Sequence, residues 1–354
     1  MSSSPVVAVT APRQPLGRAV VARLLEAEDV ARVVALGAAP VAPHPRLDVR
    51  PAGVSDPGLA AVLDDVDVVV HDPLPEGLST RGERAHAAAV EGTRRLLAAA
   101  AQAGVRRIVH VSSAMTYGAH PDNDVPLTEE SPLRAGPDFD YGYHHLLAEE
   151  VVAEWSAQHP EVAVVVLRPA TVLEPESDDL VSRHLESPRL PLVKGLQPPV
   201  QFVALDDVVS AVHLAVVRLP PGVYNVAADG WLPVSDVVAL LGRKPLWLPE
   251  QVAVSTGRQL SLHGVIDVPP GALRYLMYPW VVSSARLQAA GWAPTRSNRE
   301  LLRAFAARHE AYLALGRVRL RRRDAAAAVG AVGTSVALGT AWLATALLRR
   351  RRAR

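Results

Sequence analysis

The sequence predicts an α/β chain with a doubly wound parallel sheet, a smaller mixed C-terminal lobe and a C-terminal hydrophobic helix. Three observations carry this. Near-continuous apolar strands alternate with helical spacing through the first 170 residues. From Thr171 the alternation loosens and prolines cluster. Ala325 to Leu348 is then an uncharged stretch between arginine runs. Parallel strands covered by helices on both faces read as unbroken apolar runs, which explains the first observation.

The elements follow in order. Pro5 to Thr10 is a β-branched strand, Gly17 to Glu26 has helical spacing, and Arg32 to Leu36 is a second strand. Asp67 to His71 is a third strand, Ala85 to Ala103 a helix, Arg107 to Ser112 a strand, Tyr141 to Gln158 a helix and Val162 to Leu167 a further strand. In the lobe, Val200 to Val209 passes from strand to helix and Gly222 to Val226 is a strand. A Ser235-Asp cap opens a helix through Leu241, and Asn298 to Leu315 closes the lobe as a helix. The expected organisation is therefore 1–170 for the sheet domain, 171–316 for the lobe, which can return elements to the first domain, 317–324 for a basic linker, 325–348 for the helix and 349–354 for a basic tail.

Composition excludes several functions. The chain has 354 residues and no cysteine, so disulfides, thiolate metal sites and a Cys nucleophile are absent. The formal charge of +1 averages two unlike regions: Arg317 to Arg354 carries ten arginines and one acid, and the body before it has 27 basic against 35 acidic residues. An acidic body argues against nucleic acid as ligand, which requires a basic face. The tail stretch, as a helix, would run about 36 Å, enough for a hydrocarbon core of about 30 Å. Membrane lipid is thus the expected partner of this helix and its arginines, either across the bilayer or lying in its interface. The N-terminus shows no charged-then-apolar leader, so the body is expected in the cytoplasm, at a membrane.

A parallel α/β domain places its first strand-to-helix turn where a dinucleotide diphosphate would meet a helix N-terminus. Here that turn is Thr10-Ala-Pro-Arg-Gln-Pro-Leu-Gly17, with only Gly17 as glycine. The element order, Val111-Ser-Ser-Ala-Met-Thr-Tyr-Gly118, Tyr141-Gly-Tyr-His-His145, Leu167-Arg-Pro-Ala170 and Phe202-Val-Ala-Leu-Asp-Asp207 together resemble the extended short-chain dehydrogenase/reductase family. That family includes NAD-dependent epimerases and dehydratases and the 3β-hydroxysteroid dehydrogenases. The resemblance implies a Rossmann-like fold, NAD or NADP as cofactor, a lobe closing over a small-molecule substrate (a sugar, isoprenoid or sterol-like hydroxyl or carbonyl), and a homodimer. It places the catalytic Ser at Ser113, the catalytic Tyr at Tyr141, and His145 where the family has Lys. No Tyr-x-x-x-Lys occurs anywhere, because residues 190 and 240, four before the two lysines, are both leucine.

Cofactor contacts carried over the same way fall at Thr10, Gly17, Gly37, Asp56 and Arg168. Ala11, Pro12 and Gln14 replace small residues of the turn, Gly37-Ala38 replaces the acid that would hold the adenosine ribose, and Asp72-Pro73 replaces an Ala-Ala pair. These substitutions point away from a standard NAD(P) mode and keep a non-catalytic binding or scaffolding protein as the alternative to an oxidoreductase. Arg168 either reaches a substrate phosphate or pairs with an acid, and Asp206-Asp207 reads as helix capping. The histidines His110, His120, His144 and His145 lack ligand spacing, so no metal is expected.

Overall fold

The computed structural model describes residues 4–74, 82–177, 180–263 and 269–309, together with the backbone of 312–315 and 318–321. In chain order the elements are β1 (Val6–Val9), α1 (Pro15–Glu26), β2 (Arg32–Leu36), β3 (Leu47–Arg50), α2 (Leu59–Val62), β4 (Val68–His71) and α3 (Gly82–His86). A π-wound stretch, Ala87–Gly92, leads into α4 (Thr93–Gln102), followed by β5 (Arg107–Val111), a 3-10 turn (Ala114–Tyr117), α5 (Asp140–Gln158) and β6 (Ala163–Pro169). The lobe adds β7 (Thr171–Val172), α6 (Leu180–Leu185), β8 (Arg189–Val193), β9 (Phe202–Val203), α7 (Leu205–Val217), β10 (Gly222–Val226), α8 (Val234–Leu241) and β11 (Lys244–Leu248). It ends with α9 (Glu250–Leu262), a 3-10 turn (Pro270–Leu276), α10 (Ala285–Ala289), α11 (Asn298–His309), β12 (Tyr312–Leu315) and β13 (Val318–Arg321).

Seven parallel strands form the main sheet in the order β10-β6-β5-β4-β1-β2-β3. The doubly wound α/β expectation holds, and the chain direction across the sheet reverses between β1 and β4. One apolar layer joins Val20, Leu24, Val208 and Val212 of α1 and α7 to the sheet, and the opposite layer joins Leu96, Leu97 and Val152 of α4 and α5 to it. The lobe has its own core around Leu173, Leu190, Phe202, Leu302 and Phe305. It also returns β10 to the sheet edge, in register with β6 from Gly222 opposite Val165 to Val226 opposite Pro169.

The structure corrects three local readings. The last helix ends at His309, and Tyr312–Leu315 pairs antiparallel with Val318–Arg321, inside the expected linker. The period-2 alternation of Val-Arg-Leu-Arg is a strand signal that outweighs the helical spacing before it. The α8 cap is Pro233, with Ser235 and Asp236 already inside the helix. Asp207 makes no cap; its Oδ1 accepts from the Thr295 amide at 2.9 Å and hydroxyl at 2.7 Å, tying α7 to the loop before α11. Strand β3, with a half-buried, charged Leu-Asp-Val-Arg sequence, carries little apolar signal and was not expected. The 325–348 stretch lies outside the described residues. Among the described residues no helix is long and apolar enough to cross a membrane.

Candidate functional site

The carboxyl ends of β1, β2 and β4 open onto the reversal of strand order, where open α/β sheets bind ligands. The turn after β1 is tight. The Thr10 amide donates to the Val70 carbonyl at 3.0 Å, Ala11 takes a left-handed φ of 47°, and the Gln14 amide returns to the Ala11 carbonyl at 3.1 Å. Pro15 opens α1, where its missing N–H is no loss to the helix. Gly17 permits the helix to sit on the turn, since a Cβ there would lie 2.4 Å from the Ala11 carbonyl oxygen. Gly37 leaves β2 at a φ of 120°, open to few side-chain-bearing residues.

Between these ends lies a cavity of about 640 Å³, lined by Thr10 and Ala11, by Leu36 to Ala38, by Pro51 to Val54, and by His71, Asp72, Pro73 and Ala88. Thr10 and Gly37 line it. Gly17 acts one step back, through packing. Asp56 is not in its wall; its Oδ1 accepts from the Gly58 amide at 2.8 Å in an exposed turn, and Gly53 takes the place by the cavity.

The floor is polar. His71 is held between two hydroxyls, Nδ1 at 3.2 Å from Thr10 Oγ1 and Nε2 at 3.0 Å from Thr93 Oγ1. Burial drives its pKa down to about 3, so it is neutral. The Asp72 amide donates to Thr10 Oγ1 at 3.3 Å, and its Oδ1 accepts from the Leu74 amide at 3.0 Å. Burial pushes the Asp72 carboxyl up to about 7 against the opposing effect of that amide. Asp72 stands in the wall at the cofactor position where the sequence has it in place of an Ala-Ala pair; His71 was not expected there, and its available signal was a histidine closing a Val-Val-Val strand.

The expected catalytic residues sit elsewhere. Ser113 caps the 3-10 turn, its Oγ accepting from the Met115 amide at 3.2 Å. Tyr141 lies in the first turn of α5, which packs on that turn so closely that a Cβ at Gly142 would be 2.9 Å from the Met115 carbonyl. Tyr275 of the lobe donates to the same carbonyl at 2.7 Å. The 3-10 turn that Ser113 caps and the start of α5 are thus in close contact. Tyr141 packs against the apolar cluster of Leu74, Ala85, Ala89 and Ala148 and against that of Met115, Phe139 and Ala272. Its ring meets His145 edge-on at 4.6 Å.

His145 points inward. It is 1 % exposed, its two ring nitrogens have no hydrogen-bond partner, and burial, then His71 and His144, lower its pKa to about 3. His110, on the strand beside β4, is likewise fully buried, lies 5.7 Å from the His71 ring, and has no partner for either nitrogen. Ser113, Tyr141 and His145 do not line the cavity.

Arg168 takes the second of its two readings. Its guanidinium grips the Glu149 carboxylate through Nε at 3.0 Å and Nη2 at 2.6 Å, and Nη1 donates to the Tyr117 hydroxyl at 2.8 Å. Ser112 Oγ donates to Glu149 at 2.5 Å, and Tyr117 donates to Asn225 Oδ1 at 2.9 Å. This buried chain joins β5, α5, β6 and β10, and it engages Arg168 through all three of its nitrogens.

The sequence profile described as the NAD dependent epimerase/dehydratase family matches residues 15–227. The chain belongs to this family. An uncharacterized protein of Mycobacterium tuberculosis is 30 % identical over 302 residues, 82 % of this chain and 80 % of the relative. Two solved members share the fold. MoeE5, solved with UDP-glucuronic acid and NAD, has a TM-score of 0.64 at 23 % identity over 86 % of this chain and 98 % of its own. DesIV, a dTDP-glucose 4,6-dehydratase from Streptomyces venezuelae solved with NAD, has a TM-score of 0.65 at 20 % identity over 86 % and 97 %.

The family's cofactor can be tested against this chain's residues. The adenosine end finds an apolar slot with Gly37 at its edge. The diphosphate end meets a turn in which Pro12 and Pro15 lack N–H groups, the Gln14 amide is already spent on Ala11, and a carboxyl stands at Asp72. The nicotinamide end has a neutral, buried imidazole at 145 in place of a cation reaching a ribose. The residues present do not fit a whole NAD(P).

Proposed function

We propose that this family member is a binding protein: the cleft at β1, β2 and β4 takes a small ligand, and the family's hydride transfer is not run. The observation that carries this is His145. One helical turn after Tyr141 the family's ammonium would lower the Tyr pKa and hold the nicotinamide ribose. The side chain here is uncharged at neutral pH and turned into the core beside His71. The intact scaffold supports binding rather than chemistry, since a fold does not by itself guarantee a reaction.

One observation favours a second reading, an NAD(P)-dependent epimerase, dehydratase or oxidoreductase acting on a sugar, isoprenoid or sterol-like hydroxyl or carbonyl. Ser113 and the first turn of α5 remain in close approach through Gly142 and Met115. In that reading Tyr141 is the acid/base and Ser113 polarises the substrate oxygen. Titration of the purified full chain with NAD⁺, NADH, NADP⁺ and NADPH separates the two. The binding-protein reading expects no heat and no thermal shift at millimolar cofactor. Micromolar binding together with turnover lost in Tyr141→Phe overturns it.

The same proposal tethers the protein to a membrane through residues 325–348 and the arginines on either side, supported by their length and charge pattern in the sequence. Fractionation of full-length protein and of a chain ending at residue 316 tests this. Full-length protein that stays in the soluble fraction overturns the tether.

A further inference from the structure

Large apolar side chains left in water are concentrated in one part of the lobe. Among the described residues seven are exposed, and four of them, Trp247, Val252, Val254 and Leu260, follow one another through β11 and α9. Helix α9 meets the body along a narrow row of small residues, Ala253, Gly257 and Ser261, each half-buried and one turn apart. The approach is close, since a Cβ at Gly257 would lie 2.6 Å from Leu273 Cδ1. Helical spacing sets Val252 and Leu260 on one flank of this row and Val254 on the other. The outer side between the flanks is Gln251, Ser255 and Gln259, exposed and uncharged.

The adjoining strands supply cations. Both lysines of the chain, Lys194 and Lys244, are here, together with Arg189 and Arg258, and all four are exposed. Strands β8 and β11 pair in parallel with Lys244 opposite Arg189 and Trp247 opposite Leu192. Among the described residues none of these four cations has an ion-pair partner. Like charges held side by side without an acid are unfavourable in the free protein and are relieved by an anionic partner. Strands β8 and β11 and helix α9 contain one acid, Glu250, whereas the body as a whole has 35 acidic against 27 basic residues. Strand β12, which follows α11, lies against α6, and α6 also touches β8. Residues 322–354, with their arginine-flanked uncharged stretch, follow from that hairpin.

We propose that β11 and α9 form a face that lies on an anionic lipid bilayer. Trp247, Val252, Val254 and Leu260 enter the headgroup region, and Arg189, Lys194, Lys244 and Arg258 meet lipid phosphates. A tryptophan ring suits that depth, and cations near an anionic surface are drawn to it. A second copy of the chain docked through the same face would set the four cations against one another, so charge favours lipid. The inference rests on the membrane reading above and deepens it: the tail holds the chain at the bilayer, and this face sets the orientation of the body.

Because the chain has no cysteine, Val252→Cys and, between α1 and β2, Glu28→Cys each accept a single environment-sensitive fluorophore at an exposed position. The labelled full-length chains are mixed with vesicles of phosphatidylcholine alone or of phosphatidylcholine with phosphatidylglycerol, and emission and sedimentation are read together. The expected result is a blue shift at position 252 on the phosphatidylglycerol vesicles and none at position 28. In Lys194→Glu/Lys244→Glu, and in high salt, the shift is lost while sedimentation is kept. Sedimentation with no shift at position 252, or with equal shifts at both positions, overturns the inference and leaves the tether standing. An equal shift on neutral vesicles, or a shift unchanged in the double variant, overturns it as well. A shift at position 252 that grows with protein concentration in the absence of vesicles assigns the face to a second copy and overturns it. Sedimentation lost in the double variant keeps the face and overturns the tether. No sedimentation with either vesicle overturns both.

Discussion

Acidification is expected to destabilise this protein well above the pH at which ordinary carboxylates titrate, and the cause is the histidine row beneath the cleft. His71, His110 and His145 are 2 %, 0 % and 1 % exposed. Each is held neutral, with its pKa far below 6.5: by burial alone at His71, and by burial first and neighbouring histidines second at His110 and His145. In the unfolded chain each protonates near 6.5. A group whose folded pKa is lowered contributes stability that is present above its unfolded pKa and lost as pH falls toward the folded value. Asp72 works in the opposite direction, because its folded pKa of about 7 exceeds 3.8 and its contribution is lost as pH rises through 7. With His184, whose pKa burial lowers to about 4, four histidines against one carboxyl leave about three extra protons on the unfolded chain between roughly pH 6 and 4.5. At about 1.4 kcal/mol per proton per pH unit, unfolding free energy falls by about 4 kcal/mol for each pH unit of acidification. Urea denaturation followed by tryptophan fluorescence, at steps from pH 7.5 to 4.5, measures this slope. In His110→Phe, which keeps an aromatic ring and removes one titrating group, the slope drops by about a third. A flat profile, or a slope unchanged in His110→Phe, would refute the reasoning.

Three further outcomes are expected. Glu149→Ala strands the buried Arg168 guanidinium and costs about 3–5 kcal/mol in urea denaturation; it also loosens the Tyr117 and Asn225 contacts that depend on that guanidinium. Gly17→Ala places a Cβ 2.4 Å from the Ala11 carbonyl and lowers the melting temperature, by an amount matching 1 kcal/mol or more. Ala11→Gly relieves a left-handed φ of 47° and stabilises the folded chain by up to about 1 kcal/mol, read as a raised midpoint of thermal unfolding.

The main sheet was legible because buried parallel strands must be apolar at every position. Val-Val-Val-His and Arg-Val-Val-Ala-Leu leave no other assignment, and the close approach of Gly17 to its turn follows from the same topology. Strand β3 was not legible, since its alternating acid and base side chains pair with each other, Arg50 with Asp48 and Asp65, rather than with the core. The position of Arg168 shows the limit at the site. Sequence leaves it free to meet an anionic substrate or an acid, and only the tertiary fold brings Glu149, nineteen residues earlier on α5, against it. Asp72 is read from sequence as a misplaced carboxylate, but its raised pKa depends on walls contributed by three separate strand ends.

These contacts also explain how the family scaffold persists without its lysine. Helix α5 is fixed to β5 and β6 by Ser112, Glu149 and Arg168, and to the 3-10 turn by Gly142 and Tyr275, none of which needs a bound cofactor. The fold therefore places no demand on residue 145 beyond filling a buried space next to His71. A lysine there whose ammonium stayed in this buried space would set a charge beside His71, His110 and His144, and burial of an unpaired charge is among the costliest single changes. His145 and the two strand histidines thus form one neutral, buried set beneath the cleft.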